Sequence, residues 1–288
     1  AFSRSDALTV ADARLKDLRR LVDWAVVGLS GDDTMAVHPV ARWFALEQLR
    51  SRPNGKRLLQ RVHALVSRCV MERAPATPPQ EPAELPVWLE ILDHLRQAGQ
   101  HDAACSHLLR FDEVMIRLGE AETVARLHRS LLPHLTSPKL RALSATSIGL
   151  AAQHLNRIAE AQDALEEALG HSRTADDRAT ELLCLVNLGS QLSASGPPAA
   201  AIETNEEALR LARTLKAGSS ECSALAQLSL AYERAGDTPT AIRYLEAALP
   251  VVRHLGDVEQ EAEQLENLAR VYRVHAGLLR RGSVALLR

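Results

Sequence analysis

The sequence contains few aromatic residues and few cysteines, and its charges are nearly balanced. Aromatic side chains make up 3% of the 288 residues, and none lies between Phe111 and Tyr232, so no row of rings is available on which single-stranded bases could stack. The four cysteines form no CxxC pair, which argues against a structural zinc site or a disulfide framework and predicts a reduced, intracellular chain. A formal net charge of −2 argues against binding of a polyanion by the chain as a whole.

Several catalytic and binding motifs are absent as well. The sequence has no GxxxxGK(S/T) phosphate-binding loop, no GxSxG nucleophile elbow and no histidine pair at the spacing of helical metal ligands. The longest uncharged run, residues 182–202, contains Gly196 and a pair of prolines, which a membrane-spanning helix would not tolerate. The first residues are charged from Arg4 onward and lack a Met, so we expect a piece of a longer, cytoplasmic protein. The sequence is therefore predicted to contain no metal site, no membrane-spanning segment and no catalytic site.

Apolar and small residues recur at an interval of 40 residues in the second half of the chain. A pair made of an aliphatic residue and a small or apolar one falls at residues 148–149, 188–189, 228–229 and 268–269. The same interval relates Ala161, Ala201 and Ala241. Because small side chains let two helices approach closely, we expect these alanines to be buried where helices cross.

Each 40-residue unit is predicted to be a helical hairpin. Pro197 and Pro239 mark the starts of second helices, since proline is favoured in the first turn. The predicted first helices end near Asn156, Gly196, Gly236 and Ala276.

This pattern resembles the tetratricopeptide repeat from residue 140 to residue 268. The resemblance rests on the Leu-Gly pair, on Tyr232 and Tyr272 four residues after the Leu, on a Gly at the turn, and on two small residues seven positions apart. It implies an all-α solenoid of helical hairpins, wound as a right-handed superhelix, in a variant with longer helices.

The first helices of such a solenoid line its concave face, where ligands usually bind. Asn187, Gln227 and Asn267 occupy one equivalent position on these helices. Longer-period repeats of this kind resemble proteins whose Asn ladder bonds the backbone of an extended peptide, and an amide offers both the donor and the acceptor that a backbone requires. The alternative is that these amides bond only neighbouring helices.

Charged residues gather on the same face. Glu233, Arg234, Arg270 and Arg273 fall there by helical spacing, so the arginines could pair with a carboxylate of the partner. The alternative is that these charges are only solvated.

The N-terminal residues have a different pattern. Apolar spacing predicts a helix over 15–27, and the turn-forming residues from Gly28 to Asp33 predict a short β-hairpin between strands at 24–27 and 34–37. His38 and Pro39 then begin a second helix.

Over residues 15–49 this order resembles the winged-helix module of STAND-type NTPases of the NB-ARC class. In that family a Met-His-Asp motif contacts ADP, and the resemblance carries this role to His38 alone; the alternative is that His38 caps its helix.

These patterns together predict the organisation of the chain. It comprises a winged-helix-like module at 1–52, a basic helix and proline-rich linker at 53–86, degenerate helical hairpins at 87–138, repeats at 139–276, and a truncated repeat or cap at 277–288.

The predicted function is that of a sensor and autoinhibitory arm of a bacterial STAND-type signalling ATPase or transcriptional regulator. Its partners would be a peptide or protein effector and an upstream nucleotide-binding domain, with oligomerisation on activation, and ADP or ATP would bind only in the full-length parent. One alternative is a free-standing scaffold that docks peptides without nucleotide linkage. A second alternative is a DNA-binding regulator, because residues 42–73 carry eight Lys or Arg; these charges lie mostly beyond the wing, so DNA is the less favoured partner.

Overall fold

The computed structural model describes residues 2–3, 27–29, 34–37, 53–75 and 77–286. These residues form two compact units, Ala1–Val114 and Met115–Arg288. No helix among them is long and apolar enough to cross a membrane.

Three short strands near the N-terminus form an antiparallel sheet in the order β1–β3–β2. They are β1 (Phe2–Ser3), β2 (Val27–Leu29) and β3 (Thr34–Val37). Val27 pairs with Val37 and Gly28 with Ala36, so the prediction that Gly28 belongs to the turn is wrong. This register leaves only residues 30–33 to connect the two strands. The predicted helices of the winged-helix module, and His38, lie outside the described residues.

The described helices of the first unit lie on both sides of the proline-rich segment, with one helix before it. They are α1 (Gly55–Arg73), a 3₁₀ turn (Pro82–Glu84), α2 (Leu85–Gln97), α3 (His101–Leu108) and the start of α4 (Asp112–Arg117). Trp88 is 1% exposed, and its ring stacks on His107 at a centroid distance of 5.1 Å. His107 Nε2 donates to the Trp88 carbonyl oxygen at 3.0 Å. Burial lowers the pKa of His107, which favours the neutral ring in this aromatic core.

The second unit is a series of antiparallel helices. They are α5 (Ala121–Leu131), a 3₁₀ turn (Leu132–His134), α6 (Pro138–His154), α7 (Ile158–Thr174), α8 (Arg178–Ser195), α9 (Pro198–Leu215), α10 (Gly218–Arg234), α11 (Thr238–Leu255) and α12 (Val258–Leu286). The predicted hairpins are confirmed as the pairs α6–α7, α8–α9 and α10–α11.

Local chemistry fixes several of the helix ends. Ser137 caps α6 by accepting from the Leu140 N–H, and Asp177 caps α8 by accepting from the Ala179 and Thr180 N–H groups. Gly236 has a φ of 85°, a left-handed conformation that glycine adopts without strain and that ends α10.

The last helix differs from its predicted extent. The ends predicted near residues 156, 196 and 236 are confirmed to within two residues, but the end predicted near Ala276 is wrong, because α12 continues to Leu286. Gly196 is followed by Pro197 and Gly236 by the capping Asp237, whereas Gly277 is followed by leucines that continue a helix.

Small residues bring the helices of the second unit together. Ala161, Ala201 and Ala241 are all 0% exposed, so their predicted burial is confirmed. A Cβ on Gly149 would lie 2.7 Å from the Leu165 Cγ, which leaves room for no side chain at this crossing. The first helices α6, α8 and α10 pack on one another, while each second helix packs on the first helices beside it. The first helices therefore form the inner layer of the array.

Candidate functional site on the first helices

The predicted amide ladder lies on three first helices. Asn187 is on α8, Gln227 on α10 and Asn267 on α12, and each residue is half-buried. Within the described part of the chain, the side chains of Asn187 and Asn267 make no hydrogen bond, and the buried Oε1 of Gln227 has no donor. Within the described residues these amides make no side-chain hydrogen bond to a neighbouring helix; Asn187 and Asn267 are partly exposed, whereas the Oε1 of Gln227 is buried from solvent.

Aliphatic side chains flank the ladder. Leu183, one turn before Asn187 on α8, is 44% exposed. Leu230 is half-buried and follows Gln227 by three residues, which places it on the same face of α10. The inner layer thus combines a polar line with apolar surface.

An ion pair joins the last two first helices. Arg270 Nη1 on α12 lies 2.7 Å from Glu233 Oε1 on α10. This hydrogen bond raises the pKa of the Arg270 guanidinium. The other oxygen, Glu233 Oε2, is buried and has no donor among the described residues. Arg270 is therefore already paired within the chain, while Glu233 keeps one buried oxygen without a donor among the described residues.

The other two arginines of the predicted site also make contacts within the chain. Arg234 Nη1 donates to the carbonyl oxygens of Leu192 and Ser193, at 3.1 and 2.9 Å, near the end of α8. The carbonyls at a helix C-terminus carry partial negative charge, so Arg234 caps the C-terminal end of α8. Arg273 Nε donates to the Ala269 carbonyl oxygen of its own helix at 3.3 Å. Arg234 thus has a structural role that helical spacing alone did not predict.

A ladder of ion pairs, which the sequence reasoning missed, joins successive hairpins. An arginine near the end of each second helix pairs, through Nε and Oε1, with a glutamate eight residues later on the next first helix. The pairs are Arg173–Glu181 at 3.1 Å, Arg213–Glu221 at 2.7 Å and Arg253–Glu261 at 2.7 Å. Both residue types recur at the 40-residue interval, and that repetition was the available signal.

A buried polar cluster lies at the centre of the array. Asn205 on α9 is 0% exposed, and its Nδ2 donates to Gly189 O, Ser193 Oγ and Ala201 O at 3.2, 2.9 and 2.8 Å. Ser193 Oγ in turn donates to the Gln227 carbonyl oxygen on α10 at 3.2 Å. The Oδ1 of Asn205 has no donor among the described residues.

The sequence also contained a signal for this cluster. Leucines, Leu165 and Leu245, stand 40 residues before and after Asn205. Asn205 therefore interrupts an apolar position of the repeat.

The described residues contain no group of three His, Cys, Asp or Glu side chains that could hold a metal ion. In the first unit, His63 Nδ1 on α1 and His94 Nδ1 on α2 lie 2.7 Å apart.

Burial raises the pKa of the Cys184 and Cys222 thiols, which keeps these thiols protonated and unreactive near neutral pH.

Comparison with known proteins identifies the fold. The sequence matches no protein-family profile and no curated protein. Among solved structures, a STAND protein with a tetratricopeptide repeat sensor from Pyrococcus horikoshii superposes with a TM-score of 0.52, at 13% identity, over 94% of this chain and 45% of that chain. The fold is that of tetratricopeptide repeats. In tetratricopeptide-repeat terms, α6–α11 are three complete repeats, and α12 is the first helix of a fourth.

Two further structures share the tetratricopeptide-repeat fold. Aspartyl phosphate phosphatase F from Bacillus subtilis has a TM-score of 0.56 at 11% identity, over 79% of this chain and 59% of that chain. A Rap protein complexed with Competence and Sporulation Factor has a TM-score of 0.54 at 12% identity, over 97% of this chain and 74% of that chain. The chain spans about half the length of the first two proteins, 45% and 59%. At these identities the likeness shows the fold alone.

Proposed function

We propose that this chain is the sensor and autoinhibitory arm of a STAND-type signalling ATPase or transcriptional regulator, and that it binds a peptide or protein effector without catalysing a reaction. The observation that carries the proposal is the line of Asn187, Gln227 and Asn267, whose side-chain groups lack partners within the described residues. An extended peptide presents alternating N–H and C=O groups, which amides can satisfy from both sides. The shared fold with a STAND protein over 94% of this chain supports the proposed parent class.

The surroundings of the ladder favour a peptide that is partly apolar. Leu183 and Leu230 offer aliphatic surface on the same helices as the amides. Glu233 Oε2 is buried without a donor among the described residues, so a peptide N–H or side-chain donor that reached it would satisfy it. A carboxylate of the partner would pair more readily with Arg273 than with Arg270. Arg273 contacts only one carbonyl oxygen among the described residues, whereas the ion pair between Arg270 and Glu233 would have to break first.

The proposed parent is a cytoplasmic protein with a nucleotide-binding domain upstream of the module at 1–52, which would be a winged helix. ADP or ATP would bind in that upstream domain, and His38 would contact bound ADP. The variant His38→Ala in the parent should purify with less ADP than wild type. Equal ADP content in the two preparations would leave His38 with a structural role only.

The ladder is tested with a peptide selected from a displayed library of random 12-residue sequences on the wild-type chain. Titration calorimetry then compares wild type with the double variant Asn187→Ala, Asn267→Ala. Because a hydrogen bond contributes about 0.5–1.5 kcal/mol net, losing two should weaken binding by roughly five- to a hundredfold. The control is Gln162→Ala, which removes an amide from the second helix α7.

Two results would contradict the proposal. If the double variant binds the selected peptide as tightly as wild type, the amides are structural and the peptide docks elsewhere. If selection yields no peptide that binds to the first helices, the inner layer is not a peptide site.

A free-standing peptide scaffold is the second candidate function. The observation in its favour is that the Rap protein, solved with Competence and Sporulation Factor, shares the fold over 97% of this chain. The two candidates differ in the sequence upstream of Ala1, where a phosphate-binding loop would decide for the STAND parent.

A further inference from the structure

Helix α12 carries an exposed apolar stripe. Val258, Leu265 and Tyr272 are 78%, 43% and 45% exposed and lie seven residues apart. Exposed alanines at 262, 269 and 276 follow the same seven-residue interval. Large and small residues therefore alternate along one face, in the pattern of a helix that pairs with another helix.

The same face is covered in the preceding repeat. Leu225 and Ser229 on α10, which stand 40 residues before Leu265 and Ala269, are only 1% and 2% exposed. Helix α10 packs there against its own second helix, α11. Helix α12 runs to Leu286 without a turn, so within the described residues no second helix covers its stripe.

The opposite face of α12 is fixed to the array. Gln264 and Val271 are 4% and 0% exposed, and α12 packs against α11. The Tyr272 hydroxyl donates to Glu246 Oε1 on α11 at 2.7 Å, which holds one edge of the stripe while the ring stays half-exposed. The stripe is therefore presented in a fixed orientation, which lowers the entropic cost of binding a partner there.

We propose that this stripe pairs with the same stripe of a second copy of the chain, in antiparallel orientation. With the two-fold axis between residues 270 and 271, Leu265 of one copy faces Ala276 of the other, and Tyr272 faces Ala269. Each layer then combines a large side chain with a small one. A parallel pair would place Tyr272 on Tyr272 and Ala269 on Ala269, which would leave layers either crowded or empty.

The charges beside the stripe select the same orientation. Glu266 and Arg273 are both exposed and both directly follow a large residue of the stripe. In the antiparallel pair, Glu266 of each copy faces Arg273 of the other, so two ion pairs flank the axis. In a parallel pair, Glu266 would instead face Glu261 of the other copy, and like charges opposed in this way are unfavourable.

The stripe contains none of the amide residues, and the dimer does not depend on peptide binding, although Arg273 is shared with the proposed peptide site. Sedimentation equilibrium of the 288-residue chain should show a monomer–dimer equilibrium. The single variants Glu266→Arg and Arg273→Glu should each raise the dimer dissociation constant by roughly tenfold or more, because each opposes like charges twice. The double variant Glu266→Arg, Arg273→Glu should restore the wild-type constant to within about threefold, because the exchanged charges again face each other. The control is Glu203→Arg, a charge reversal at an exposed position of α9.

The packing is tested separately with Ala269→Leu. Ala269 is exposed, so the substitution should leave the fold and its circular dichroism unchanged, but it fills the space that Tyr272 of the second copy requires. A monomer is the expected result. A monomeric wild type, a double charge variant that stays as weak as the single variants, or a dimer that tolerates Ala269→Leu would each overturn the proposal. A monomeric wild type would assign the stripe to a helix of another protein or to a further segment of a longer chain.

Discussion

The buried cluster around Asn205 allows a sharp prediction about stability. We expect Asn205→Leu to stabilise the second unit, although it removes the contacts of Nδ2 with three acceptors. Leucine already stands at the equivalent positions 165 and 245. Leu165 Cγ lies 2.7 Å from where a Cβ on Gly149 would be, so a leucine opposite Gly189 fits the same kind of crossing.

The magnitude follows from the partners of Asn205. The Oδ1, buried without a donor, costs about 1–3 kcal/mol, and burying a leucine side chain contributes about 1.5–3 kcal/mol. Because Nδ2 has two hydrogens, its three contacts amount to about two hydrogen bonds, whose loss costs about 0.5–1.5 kcal/mol each. Two acceptors, the Gly189 and Ala201 carbonyl oxygens, lie inside helices and keep their helical donors, and Ser193 Oγ keeps its bond to Gln227. The net gain is about 1–2 kcal/mol, which raises the melting temperature by roughly 2–8 °C.

Urea unfolding followed by circular dichroism measures this difference. Asn205→Leu should move the midpoint to higher urea with an unchanged slope, which shows that stability and not the exposed surface has changed. The control Asn205→Ala loses the same hydrogen bonds but leaves a cavity, so it should lower the midpoint. If Asn205→Leu is less stable than wild type at equal slope, the polar network outweighs apolar packing and the reasoning fails.

Three further predictions concern stability. Ala201→Glu should unfold the array, because burying an unpaired carboxylate costs several kcal/mol, and a melt that matches wild type would contradict the assigned crossing. Arg173→Met should destabilise by about 1 kcal/mol, because Arg173 pairs with Glu207 and with Glu181, which is 7% exposed and keeps its pair with Arg178. Arg213→Met and Arg253→Met should destabilise by less, because each removes one pair with a glutamate that is 20% or 29% exposed; equal urea midpoints for the three variants would contradict this order. Burial lowers the pKa of His107 below its ordinary 6.5, so the unfolded chain binds a proton that the native chain does not, and stability present above pH 6.5 should fall as the pH drops below it. His107→Gln should flatten that decline in urea midpoints measured between about pH 7.5 and 5.5, and an unchanged slope would assign it to other groups.

The repeat architecture could be predicted from the sequence because its determinants are periodic. Burial of Ala161, Ala201 and Ala241 followed from their spacing, since a small residue at each crossing is a local requirement repeated in each unit. The continuation of α12 could not be inferred from spacing in the same way. Whether Gly277 ends a helix depends on what caps it and on what packs beyond it, and neither follows from the repeat.

The chemistry of the site was harder to predict, because charged side chains choose among several partners in three dimensions. Helical spacing predicts that Arg234 and Arg270 lie on one face. In the structure, however, Arg234 donates to carbonyl oxygens of α8 and Arg270 pairs with Glu233. The side chains of Asn187 and Asn267 make no hydrogen bond within the described residues, so helical spacing alone was enough to predict where they lie.

The repeated Arg–Glu ladder makes each hairpin of the array exchangeable. The junction between one repeat and the next uses the same pair of side chains at the same eight-residue separation each time. Removal of the 40 residues from 178 to 217 would place Arg173 eight residues before Glu221 and re-form an equivalent junction. Duplication of the same segment would add a junction of identical chemistry. The number of hairpins, and with it the length of chain that the inner layer can hold, can therefore change by recombination without a new contact having to evolve at the seam.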